Sequence, residues 1–147
     1  MSDSPGNTFR GSCVCGAVHY GVSGPPVRVA QCCCTDCQKL TGTGHATIAF
    51  FRDTDFKSSG PATAYEKTAD SGNLTTRYFC PTCGSRLFGR NSGRPGTVSV
   101  YVGSLDDEGT DRLKPDAIVY VERRHAWDLL DETIPQFPAM PPPPPKT

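Results

Sequence analysis

A chain of 147 residues has room for one domain of ordinary size, but Leu, Ile, Val and Phe supply only 27 of its residues, about 18%. That lies just under the roughly 20% level at which disorder competes with folding, yet fifteen basic and fifteen acidic side chains cancel, so the self-repulsion that disorder also requires is missing. The same balance excludes a broad electrostatic footprint for nucleic acid, and no apolar run approaches the roughly 18 residues needed to cross a bilayer. Something besides apolar burial must hold the fold, and eight cysteines are the candidates.

Residues 1–8 are polar and lack the charged start and apolar middle of a secretory leader. A tail is expected there, with the chain in the cytoplasm and its thiols reduced. Ala17 to Val22 places Val18, Tyr20 and Val22 on one face, the period of a half-buried strand. A short helix is predicted from about Asp36 to Leu40, capped by Thr35 or Asp36 and ended by Gly42. His45 to Phe51 is more evenly apolar and reads as a strand buried on both faces. Thr97 to Val102 alternates three valines, and Ala117 to Val121 is a β-branched run after Pro115. Trp127, Leu129 and Leu130 read as a core plug. From residue 139 to 147 the chain is proline-rich and predicted to be an extended solvated tail. The expected fold is mostly β, one domain over residues 9–138, built of small antiparallel sheets with minimal helix.

The cysteines form three groups: Cys13 and Cys15; Cys32, Cys33, Cys34 and Cys37; and Cys80 and Cys83. Neighbours one or two apart bridge each other poorly, and a reducing compartment disfavours disulfides, so metal binding is the stronger reading. Cys80-Pro-Thr-Cys83-Gly is half of a tetrahedral site, with Pro81 presetting a turn and Gly84 permitting a positive φ. Zn²⁺ suits four thiolates.

Two partitions compete. Cys13 and Cys15 can join Cys80 and Cys83, or can pair with Cys34 and Cys37 at ordinary zinc-ribbon spacing. Adjacent side chains in extended backbone point to opposite faces, which hinders Cys32 and Cys33 from gripping one ion and favours the first partition. Cys32 and Cys34 then share a face to which Cys37 can return. Three thiolates leave one tetrahedral position free, and an open site can polarise a carbonyl or take a substrate thiolate. Cys33 should point away as a small buried side chain.

The segments Gly11-Ser-Cys-Val-Cys-Gly-Ala-Val18, Gln31-Cys-Cys-Cys-Thr-Asp-Cys-Gln-Lys-Leu-Thr-Gly42, Phe79-Cys-Pro-Thr-Cys-Gly-Ser-Arg-Leu-Phe88 and Gly103-Ser-Leu-Asp-Asp107 resemble the glutathione-dependent formaldehyde-activating enzyme family, also called the CENP-V/GFA domain. Ile134-Pro-Gln-Phe-Pro138 is similar to the family's usual ending. The resemblance implies an Mss4-like fold, a tent of small antiparallel sheets, with two zinc ions per chain. It assigns Cys13, Cys15, Cys80 and Cys83 to a structural site and Cys32, Cys34 and Cys37 to the site associated with activity. One departure is Cys33, where the family commonly has His or another non-ligand residue.

The implied reaction joins glutathione and formaldehyde into S-hydroxymethylglutathione, a carbon–sulfur lyase chemistry whose partners are a small thiol and a small aldehyde. Glutathione carries two carboxylates, so Lys39, Arg77, Arg86 and Arg90 are candidate contacts, and Gln38 could orient substrate or sulfur through its amide. His45 reads as a wall residue before a proton carrier, while His19 and His125 fit strand or loop surfaces. The competing readings are a non-catalytic zinc β-domain that binds a small thiol or protein partner, and a redox sensor acting through Cys33.

Overall fold

Period-two patterning governs the architecture. The computed structural model describes residues 8–106 and 108–141; the tail before Thr8 and the proline run after Pro141 lie outside the described residues. Strands β1 (Thr8–Ser12), β2 (His19–Ser23) and β5 (Phe56–Ser59) form a three-stranded antiparallel sheet in the order β1-β2-β5. Strands β3 (Arg28–Cys32), β4 (Ala46–Arg52), β6 (Thr63–Thr68), β7 (Leu74–Phe79), β8 (Arg86–Asn91), β9 (Thr97–Tyr101) and β10 (Ala117–Val119) form a seven-stranded sheet in the order β10-β3-β4-β9-β8-β7-β6. Its β10/β3 pairing is parallel and the others are antiparallel. The fold is therefore mostly β, as predicted, although one of its two sheets is not small.

The core lies between the two sheets. Val18, Tyr20 and Val22 are all buried on one face of the small sheet, and Val98 and Val100 meet them from the large one. Phe9 of β1 and Phe51 of β4 are both fully buried, with ring centroids 5.7 Å apart, and Tyr20, Phe56 and Phe88 continue the aromatic contact. Strand β4 is half-buried rather than buried on both sides: Ala49 and Phe51 enter this core, whereas Ala46 and Ile48 face the opposite side with Tyr101 and Cys37. The valine strand ends at Tyr101, and Val102 is buried as a short 3-10 turn begins.

The other face of the large sheet carries α1 (Thr35–Thr41), the single α-helix among the described residues. Lys67 on edge strand β6 reaches Asp36 of the helix at 2.7 Å, so α1 is tethered across that face. Gly42 ends the helix in the left-handed region, φ 75°, with its N–H donating to the Gln38 carbonyl, as predicted. The cap is a correction. Cys34, not Thr35 or Asp36, is the N-cap, because its extended backbone lets Sγ accept from the Cys37 N–H at 3.3 Å. Trp127 and Leu129 also correct the expected core plug: they are 64% and 86% exposed, because the segment after β10 runs over the surface and buries Asp128 instead. No helix among the described residues is long and apolar enough to cross a membrane.

Removing the Phe51 ring would open a cavity where the sheets meet. Phe51→Ala should lower unfolding stability by about 3–5 kcal/mol, measured by urea denaturation.

Candidate metal centres

Two groups of sulfur atoms gather, and they are those of the first partition. Cys13 and Cys15 lie in the β1–β2 turn, Cys80 and Cys83 in the β7–β8 turn, and their four Sγ atoms lie within 4.8 Å of one another. The Cys13–Cys15 and Cys15–Cys80 separations are both 3.6 Å. Four thiolates about 2.3 Å from one zinc ion would stand about 3.8 Å apart along the edges of a tetrahedron. The donor set therefore fits a tetrahedral thiolate site. The Val18 N–H points at Cys13 Sγ at 3.2 Å, and the Ser85 hydroxyl lies 3.2 Å from Cys83 Sγ. The Ser85 contact, joined by the Cys15 and Ser85 N–H groups, holds Cys83 down to about 5. Cys15 has the Ala17 N–H favouring its thiolate, but the Cys13 and Cys80 sulfurs drive it up to about 12.

Cys32, Cys34 and Cys37 form the second group, again with sulfurs within 4.8 Å. Cys32 ends β3, Cys34 caps α1, and Cys37 is buried in the first turn of the helix. Hydrogen bonds from Cys32 and Cys37 hold Cys34 down at about 2, whereas Cys34 pushes Cys32 up to about 12, and Cys32 and Cys34 push Cys37 upward as well. The three sulfurs thus compete for negative charge in one place, a donor set that a cation would satisfy. Cys33 is fully buried away from them; its N–H donates to the Val119 carbonyl.

The second cluster faces a wall that the sequence did not disclose. Burial raises the Tyr101 phenol and the Cys37 thiol raises it further, while Arg77 and Arg86 oppose the rise. Tyr120, raised by burial and by the Cys32 and Cys34 thiols, stands on another side with φ 58°, a left-handed conformation that costs a non-glycine residue about 1–3 kcal/mol. Arg94 lies over the Phe50 ring, and its environment includes Cys32.

The predicted polar residues divide. Gln38 is fully engaged: its Nε2 donates to the Cys33 and Arg123 carbonyls at 2.8 and 2.9 Å, and its Oε1 lies 2.7 Å from His125 Nε2. It ties the cysteine segment to the chain after β10. Arg90 pairs with Asp53, Lys39 is exposed, and Arg86 donates to the Leu40 carbonyl while lying over Phe79. Arg86 also lines a cleft of about 510 Å³ with Ser12, Cys13, Ser85, Ser104 and Asp106. Arg77 lies beside Tyr101.

His45 is packed between Gln31 and Asp128. Gln31 and Thr47 are partners across β3 and β4 on the face opposite Cys32 and Ala46, and His45 Nε2 lies 3.4 Å from Gln31. Its Nδ1 is 2.8 Å from buried Asp128, a carboxylate 83 positions away in the chain. Asp128 lies so close to Gly44 that a Cβ there would stand 2.4 Å from its Oδ2. Arg124 completes the strap by donating to the Asp128 carbonyl at 3.0 Å.

The model of the glutathione-dependent formaldehyde-activating enzyme family matches residues 8–123. Among solved structures, the crystal structure of a Rhodobacter sphaeroides protein is similar in fold, with a TM-score of 0.56 and 23% identity, covering 72% of this chain and 96% of that one. Comparison with curated proteins gives no match.

Asp128→Ala removes the Nδ1 partner of the half-buried His45 imidazole, and Gly44→Ala displaces the same carboxylate. Each should cost about 1–3 kcal/mol in denaturation while the metal content of both sulfur clusters stays at the wild-type value, because Gln38 still holds the cysteine segment through the Cys33 and Arg123 carbonyls.

Proposed function

The chain belongs to the glutathione-dependent formaldehyde-activating enzyme family, and from that premise we propose that it joins a small thiol such as glutathione to a small aldehyde such as formaldehyde at Cys32, Cys34 and Cys37. The observation that carries this reading is the inequality of the two clusters, four sulfurs in one and three in the other. Four thiolates complete a tetrahedral ion, whereas three leave a position for an incoming group. In this reading Cys13, Cys15, Cys80 and Cys83 hold a structural zinc ion, Cys32, Cys34 and Cys37 hold a second, and the working unit is residues 9–138 in a cytoplasm that keeps thiols reduced.

Zinc at the second site would supply a lowered thiol pKa and Lewis acidity at the free position. The chain supplies placement. Gln38 fixes the Cys33 carbonyl between two ligands, and Gly42 stops the helix that carries Cys37. Ala46, Ile48 and Tyr101 form an apolar floor that limits water beside the sulfurs. In the addition, the substrate sulfur attacks the carbonyl carbon, a C–S bond forms, and the π electrons pass to oxygen, which takes a proton to give the S-hydroxymethyl adduct. The reverse step breaks that bond, which is the carbon–sulfur lyase direction.

Metal analysis of the purified protein should return about two zinc ions per chain. Cys80→Ser should unfold the domain, whereas Cys34→Ser should remove one ion, leave the fold intact and abolish adduct formation followed by NMR with glutathione and ¹³C-formaldehyde. One ion per chain, or equal collapse of both variants, would sink the open-site reading. Two ions with no thiol binding at millimolar concentration would favour a non-catalytic zinc domain.

A further inference from the structure

The cleft beside the four-sulfur cluster encloses about 510 Å³, a volume within the range of small-ligand sites. Its walls come from the end of β1 and the turn after it, from the start of β8 and from the segment after β9, with Ser12, Arg86, Gly103 and Asp106 among them. Gly103-Ser-Leu-Asp106, which supplies no sulfur to either cluster, finds its place here. The walls are pinned by their own hydrogen bonds. Ser12 Oγ lies 2.8 Å from both oxygens of Asp106, the Val14 N–H donates to Ser85 Oγ at 3.0 Å, and Ser104 Oγ donates to the Tyr101 carbonyl at 2.7 Å.

Two opposite charges stand on these walls and do not meet. Arg86 is held from two sides, its Nε donating to the Leu40 carbonyl and its guanidinium lying 5.0 Å from the Phe79 ring centre, yet it makes no ion pair among the described residues. Asp106, fixed by Ser12, makes none among them either. We propose that the cleft binds a free α-amino acid, with its carboxylate on Arg86 and its ammonium on Asp106. A simple anion is disfavoured: Cys13 brings the four-sulfur cluster to the same wall, and four thiolates outweigh the charge of one divalent ion, so with Asp106 the cleft is negative on balance. A simple cation would meet Arg86. A zwitterion satisfies both walls, and the bond from a guanidinium to a carboxylate is planar and charge-assisted. The volume leaves room for a side chain, which Val14, 92% exposed at the rim, can flank. The cleft borders Cys13 and none of Cys32, Cys34 and Cys37, so this binding is separate from the thiol chemistry proposed there.

The test is an NMR titration of the ¹⁵N-labelled, zinc-loaded protein with glycine, alanine, leucine, glutamate and lysine, each to roughly 10 mM. At least one should move the Ser12, Ser85, Gly103 and Ser104 amides to saturation. Acetate and methylammonium, each with half of the ligand's charge pattern, should not saturate over the same range. Arg86→Gln and Asp106→Asn should each weaken the best amino acid roughly 10- to 100-fold, with zinc content retained. Gly103→Leu serves where a charge variant fails to fold. A Cβ at Gly103 meets nothing within 4 Å, so the added side chain enters open space at the cleft and should block binding with both charges kept.

No saturable shift with any of these amino acids would overturn the proposal. Acetate binding as tightly as the best amino acid would do the same, since the cleft would then be a plain anion site, as would undiminished affinity in both charge variants. Shifts centred on Cys32 to Gln38 instead of the cleft would put the ligand at the three-cysteine site and overturn it too.

Discussion

Four sulfur atoms join the two sheets at one end of the molecule, and much of the structure depends on that junction. Cys13 and Cys15 stand in the first turn of the three-stranded sheet, Cys80 and Cys83 in a turn of the seven-stranded one, with Cys15 and Cys80 65 positions apart in the chain. Closing so long a loop is entropically unfavourable, and a chain with few large apolar residues has little burial with which to offset it. A shared cation would convert the like-charge repulsion of four clustered thiolates into a cross-link. The aromatic contact of Phe9 with Phe51 then closes the space between sheets that the sulfur turns bring together.

With the core between the sheets, the outer face of the larger sheet is free for chemistry. Helix α1 lies over it, held by Lys67 and Asp36 at one edge and by Gln38 on the side of the chain after β10. The strap formed by Arg124, His125 and Asp128 runs beside Cys33. It ties the segment between the cysteines and β4 to the chain after β10 through Gln38 and His45.

Local signals were the readable ones. Val18, Tyr20 and Val22 are buried together because alternation depends on the backbone pleat alone, and the same rule separated Cys32 and Cys34 from Cys33 before any contact was known. Pairing over long distances was not readable. Strand β6 is exposed at every position and has no apolar alternation to announce it, so the width of the seven-stranded sheet was missed. Trp127 was misplaced because its size argued for burial, when Asp128 beside it is buried by its bond to His45. Tyr101 and Tyr120 reach the site through β9 and the turn after β10, distant segments with no motif of their own. The sequence could name Arg77 as a cation but could not distinguish it from Arg90, whose partner Asp53 is supplied by another part of the fold.

Strand β4 divides its duties residue by residue. Ala49 and Phe51 are held by the packing between the sheets, whereas Ala46 and Ile48 meet only the cysteine face. A substitution at one parity is felt as stability and at the other as a change in the shape of the surface beside the sulfurs. The two kinds of change are thus separately heritable, and the cysteine face can be reshaped through Ile48 and its neighbours without first rebuilding the scaffold that carries them.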